Sequence, residues 1–142
     1  MSAAEHQLSA GDLMTIDPVV VAVDAPIEEA ERLILDHGVS GLPVVDRDGD
    51  VLGVVSQTDF MHLADPDVRG LIHHKASGIR VGEIMSRPPV TVGISTPLVE
   101  AARRMVSERV HRVVVVDDEQ RPLGVLSAMD FVTLFAEGAT AR

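Results

Sequence analysis

Short β-branched runs alternate with one amphipathic segment along this chain, and the whole alternation is written twice. "PVVVAV" at 18–23 is an unbroken apolar run opened by proline, which predicts the start of a strand. In "DAPIEEAERLILDHG" at 24–38 the apolar residues Ile27, Ala30, Leu33 and Ile34 recur at helical spacing, so this segment predicts an amphipathic helix. Asp24 is its expected N-cap, Pro26 and the acids behind it suit a first turn, and Gly38 suits the stop. "GLPVVDRDGDVLGVVS" at 41–56 predicts two strands joined by a polar turn, after which Ser56 opens a short closing helix. The second half repeats the series as "PPVTVGI", "STPLVEAARRMVSER" and "RVVVVDDEQRPLGVLS". There the helix lacks a closing glycine, the hairpin turn reads as longer, and Ser127 opens a second short helix.

The repetition is gapless. At an offset of 71 residues the halves align from Gly11/Gly82 to Phe60/Phe131, with more than a third of the paired positions identical. The pairs include Met14/Met85, Pro18/Pro89, Val19/Val90, Val39/Val110, Asp46/Asp117, Gly53/Gly124, Ser56/Ser127 and Asp59/Asp130. The reading is α+β, with two β-α-β-β-α repeats spanning 8–65 and 81–136 and a connector at 66–80 broken by Pro66, Gly70 and Gly78. A half of this size buries too little surface to be stable alone, so the halves are expected to pack together about a pseudo-twofold axis.

Composition narrows the function classes. Apolar residues make up 46% of the 142, enough for a real core. Three Phe with no Tyr or Trp leave few platforms for stacking bases, and a formal net charge of −10 repels nucleic-acid backbones. Nucleic acid is therefore disfavoured as a partner. There is no Cys, which removes disulfide and thiol chemistry and suits a reducing cytoplasm. The start carries no apolar run of signal-peptide type, and no stretch approaches the length of a membrane span. A soluble, cytoplasmic protein is the expectation.

Two motifs carry candidate chemistry. "SQTD" at Ser56–Asp59 and "SAMD" at Ser127–Asp130 have the spacing of a capping box, in which serine and acid satisfy the first amides of a helix. The same geometry can receive a ligand: free amides at a helix start favour phosphate, and a carboxylate one turn in accepts from both hydroxyls of a ribose. The glycine ahead of each serine would let a backbone approach closely. At the corresponding place before each hairpin the halves differ, Val39-Ser40-Gly41 against Val110-His111-Arg112 preceded by Arg109. A cation there can complement the negative end of a helix or hold an anion. The remaining candidates weaken on spacing. His73 and His74 are neighbours that would point apart on a helix, "DRDGD" lacks the terminal Glu and helical flanks of a calcium loop, and Met14 and Met85 suit core gaps.

In "DLMTIDPVVV", "HGVSGLPVVDRDGDVLGVVSQTDF", "EIMSRPPVTV" and "RVHRVVVVDDEQRPLGVLSAMDF" the chain resembles the CBS (cystathionine-β-synthase) domains, arranged as a tandem pair or Bateman module. The resemblance implies two intertwined, pseudo-twofold-related repeats whose sheets pack at a central interface with clefts, in modules that commonly form homodimers. It implies a regulatory, non-enzymatic role. An adenosine-containing ligand (AMP, ADP, ATP or S-adenosylmethionine) would be bound, no cofactor would be required, and the bound state would pass to a partner. Ligand-free dimerisation is the alternative. Carried over by position, one cleft would combine Ser56 and Asp59 with Pro89, Val90, Val110, His111 and Arg112. The other would combine Ser127 and Asp130 with Pro18, Val19, Val39, Ser40 and Gly41, keeping the nucleoside features without the basic pair. One departure stands beside Arg112: Val114 replaces the proline found at position 43 in the first half.

Overall fold

A computed structural model of the protein describes residues 7–67 and 78–140, the last two without their side chains. His73, His74 and most of the 66–80 connector lie outside the described residues. In chain order the first elements are α1 (Ala10–Leu13), β1 (Thr15–Ile16), β2 (Val21–Ala22), α2 (Ile27–His37), β3 (Gly41–Val45), β4 (Val51–Ser56) and α3 (Gln57–His62). Then follow α4 (Val81–Ile84), β5 (Thr91–Gly93), α5 (Leu98–Glu108), β6 (Arg112–Val116), β7 (Pro122–Ser127) and α6 (Ala128–Thr140). Mixed helix and strand, doubled, is the observed architecture.

The chain divides into two compact units that cut across the sequence halves: Val19–Pro89, and Met1–Pro18 with Val90–Arg142. In the Val19–Pro89 unit, β2 runs parallel to β3 and β3 antiparallel to β4. Ser86 extends this sheet by a bridge to Val54. In the other unit the order is β1-β7-β6-β5, with β1 antiparallel to β7 and β5 parallel to β6. The opening segment of each repeat is thus stitched to the hairpin of the other. Backbone bonds fix the exchange at both places: Gly11 N donates to Ile94 O at 2.9 Å, and Gly82 N donates to Val23 O at 2.9 Å.

Each unit closes its own core. Leu42, Val44 and Val55 pack with Ala30 and Ile34 of α2 and with Val81 of α4. Val113, Val115 and Leu126 pack with Ala101 and Met105 of α5 and with Ala10 of α1. Met85 and Met14 fill matching places at the margins of the two cores. At roughly 1.5–3 kcal/mol for each fully buried aliphatic side chain, these valine-rich strands are the main source of stability.

Local details depart from the sequence reading in three places. Asp24 does not cap α2; Pro26 is the N-cap residue, with no side-chain cap bond, and Ile27 N donates instead to Ile79 O. A distant carbonyl supplies what a local side chain was expected to supply. The second hairpin turn is no longer than the first, because Asp117 Oδ1 accepts from Glu119 N and Arg121 N as Asp46 Oδ1 accepts from Asp48 N and Asp50 N. The helix opened by Ser127 is not short: α6 has 13 residues. As read from the sequence, α5 closes without glycine; Arg109 adopts the left-handed conformation at φ 57° where Gly38 closes α2 at φ 63°.

Candidate functional site

Both Ser/Asp pairs form the box that their spacing predicts. Asp59 Oδ2 accepts from Ser56 N at 2.9 Å and from Ser56 Oγ at 3.3 Å. Asp130 Oδ2 accepts from Ser127 N at 2.8 Å and from Ser127 Oγ at 3.1 Å, while Ser127 Oγ accepts from Asp130 N at 3.3 Å. Each carboxylate is thereby fastened to the start of its helix through Oδ2, the position where an acid also complements the helix dipole. The two boxes differ at the other oxygen. Asp59 Oδ1 accepts from Ser86 Oγ at 2.9 Å, and Asp59 is only 7% exposed. Asp130 is half-buried.

Ser86 is the residue that the sequence reading missed. Its signal was present as the hydroxyl after each methionine, Thr15 and Ser86, but nothing local says that this hydroxyl reaches a carboxylate 27 positions away. Close packing delivers it. A Cβ on Gly53 would stand 2.6 Å from Ser86 O and 3.0 Å from Met85 Sδ, and one on Gly124 would stand 2.7 Å from Thr15 O. The glycines ahead of the serines, expected to admit a ligand to the backbone, instead admit the Met-Ser and Met-Thr segments of the opposite repeat. Glycine is required there because any side chain would overlap backbone atoms.

The residues preceding each hairpin stand beside the closing helices. Gln57 N donates to Ser40 O at 3.0 Å, and Ala128 N donates to His111 O at 2.8 Å. Gly41 is paired with Ser56 and Arg112 with Ser127 across their hairpins. One unit therefore groups Ser40, Gly41, Ser56 and Asp59, and the other groups His111, Arg112, Ser127 and Asp130. Val19, Val39 and Pro89 belong to the first unit; Pro18, Val90 and Val110 belong to the second. His111 is exposed and Arg112 half-buried. The Val114 departure has a structural use: its N–H, which a proline would lack, donates to Val90 O at 3.0 Å and anchors the strand beside the Pro89-Val90 step.

The sequence pattern of the CBS domain matches twice, at residues 10–65 and 81–137. The chain belongs to the CBS domain family. It is similar to the gamma-3 subunit of 5′-AMP-activated protein kinase from Sus scrofa, 36% identical over 124 residues that cover 82% of this chain and 23% of that protein. The CBS pair thus spans about a quarter of the kinase subunit. It is also similar to the chloroplastic CBS domain-containing protein CBSX2 of Arabidopsis thaliana, 30% identical over 140 residues, covering 82% of this chain and 59% of that one. The crystal structure of CBSX2 in complex with AMP superposes with a TM-score of 0.79 at 32% identity, covering 95% of this chain and 99% of that one. The CBS domain pair of protein MJ0100, in complex with 5′-methylthioadenosine and S-adenosyl-L-methionine, shares the fold at a TM-score of 0.82 and 23% identity, covering 93% and 98% of the two chains.

Proposed function

We propose that this CBS pair is a non-catalytic regulatory module that binds an adenosine-containing ligand, of the AMP class first, and passes the bound state to a partner. The observation that carries the reading is the doubled Ser/Asp box, a carboxylate fastened through one oxygen at the start of each closing helix, in a chain 32% identical to CBSX2, which was solved with AMP. The ribose diol goes to the carboxylate, which accepts both hydroxyls. Backbone and valine side chains face the adenine, and arginine takes the phosphate through planar, charge-assisted bonds.

We assign Ser56 and Asp59 to one ligand, and Ser127 and Asp130 to a second. The grouping follows the family resemblance. His111 and Arg112 are assigned to the phosphate. A thermal-shift series with AMP, ADP, ATP, NADH and S-adenosylmethionine tests the reading: a ligand at 100 times its Kd adds about 2.7 kcal/mol to the folded state. Asp59→Ala and Asp130→Ala should each remove part of that response. Arg112→Ala should cost about 1.5–3 kcal/mol for AMP and little for adenosine. Millimolar ligand without any response would sink the proposal.

A second reading, assembly without ligand, draws support from exposed apolar side chains. Val99 (55%) and Val106 (79%) on α5, with Met129 (66%), Val132 (58%) and Phe135 (82%) on α6, stand in solvent. Leu8, Leu98, Val106, Phe131 and Leu134 line an open groove of about 870 Å³ on the same unit. We assign this surface to homodimer formation, which is compatible with ligand binding. Sedimentation of Val106→Glu/Phe135→Glu against the parent separates the cases: a dimer that becomes a monomer while still binding AMP supports both assignments.

A further inference from the structure

The two carboxylates differ in what already occupies them. A carboxylate offers about four lone-pair sites, and a ribose diol needs two of them. Asp59 has given two sites on Oδ2 to Ser56 and one on Oδ1 to Ser86 Oγ, at 2.9, 3.3 and 2.9 Å. Asp130 has given two sites on Oδ2 to Ser127, at 2.8 and 3.1 Å. Among the described residues no side chain donates to its Oδ1. Thr15, which stands one repeat before Ser86 and pairs with Val125 as Ser86 pairs with Val54, makes no such bond.

We infer that the two carboxylates are unequal receptors: Ser86 holds Asp59 back from a ribose diol, and Asp130 takes the first one. This rests on the ligand reading above and adds an order of filling to it. At Asp59 a diol must displace the Ser86 hydroxyl, which is worth a net hydrogen bond; at Asp130 no side chain among the described residues has to leave Oδ1. A phosphate brings contacts of its own to either site. The bare nucleoside therefore reports the carboxylates themselves.

The experiment is calorimetric titration of the full chain with adenosine. Asp130→Asn should remove the tighter site, and Asp59→Asn should leave it within about twofold. In the Asp130→Asn background, adding Ser86→Ala should tighten adenosine binding by about three- to tenfold, the span of one net hydrogen bond, and Ser86→Thr should restore the weaker value. Ser86→Ala keeps the fold, because the segment is held by backbone: Ser86 N donates to Val54 O at 2.9 Å and Val54 N to Ser86 O at 3.0 Å. Loss of the tighter site in Asp59→Asn, or a double variant that binds no more tightly than Asp130→Asn, overturns the inference and leaves the ligand reading intact. Failure of the parent chain to bind adenosine, AMP or S-adenosylmethionine at all overturns both.

Discussion

Two glycines and one arginine show how single residues are constrained here. Gly53 and Gly124 lie under the backbone of Ser86 and Thr15, at distances that leave no room for a Cβ. Gly53→Ala and Gly124→Ala should each cost about 1–3 kcal/mol or more through overpacking, read from urea midpoints at unchanged slope. Gly93→Ala is the control, because its Cβ would meet nothing nearer than 3.7 Å and should cost little. Arg109 presents the opposite situation. Its left-handed φ of 57° at the end of α5 is strained for any residue with a Cβ, whereas Gly38 occupies the matching place in α2 without strain. Arg109→Gly should stabilise the chain by about 0.5–1 kcal/mol, the steric relief less the added freedom of the unfolded chain. A lower melting temperature would mean that the side chain contributes more than its strain removes.

Among the elements, those with local causes were legible in the sequence. The hairpins announced themselves because Asp46 and Asp117 sit where one carboxylate oxygen can accept two amides of a tight turn. Asp46→Ala should therefore lower stability by about 1–2 kcal/mol, seen as an earlier urea transition, and Asp117→Ala should match it. Helices α2 and α5 were legible for the same reason: Ala30, Ile34, Ala101 and Met105 return to one buried face by periodicity alone. The boxes at Ser56 and Ser127 followed from a three-residue spacing. Individual contacts whose partner lies far along the chain were not legible. The start of α2 takes its acceptor from Ile79, so Asp24 is not needed as a cap. Asp59 takes a donor from Ser86, so half of that site was invisible. The glycines were recognised as necessary but given the wrong neighbour, since spacing shows that something comes close without showing what.

At the scale of the molecule, the exchange of opening segments carries the strongest consequence. The first repeat's α1 and β1 complete the second repeat's sheet and core, where Ala10 is fully buried and Leu13 and Met14 pack against the cluster holding Val113, Val115 and Leu126. The Val19–Pro89 unit contains its own equivalent, α4 and the Met85-Ser86 segment, from further along the chain. Deleting residues 1–16 should therefore harm the distant half of the sequence and spare the adjacent one. Loss of Leu13 and Met14 alone removes about 2–4 kcal/mol of apolar burial, a large share of the roughly 5–15 kcal/mol that holds a typical domain folded. It also leaves β7 as a bare edge. Amide hydrogen exchange of the truncated chain should show protection collapsing in β5, β6 and β7 while β3 and β4 keep theirs. If the amides of β3 and β4 are the ones that lose protection, each repeat folds on its own opening segment and the exchange does not govern stability.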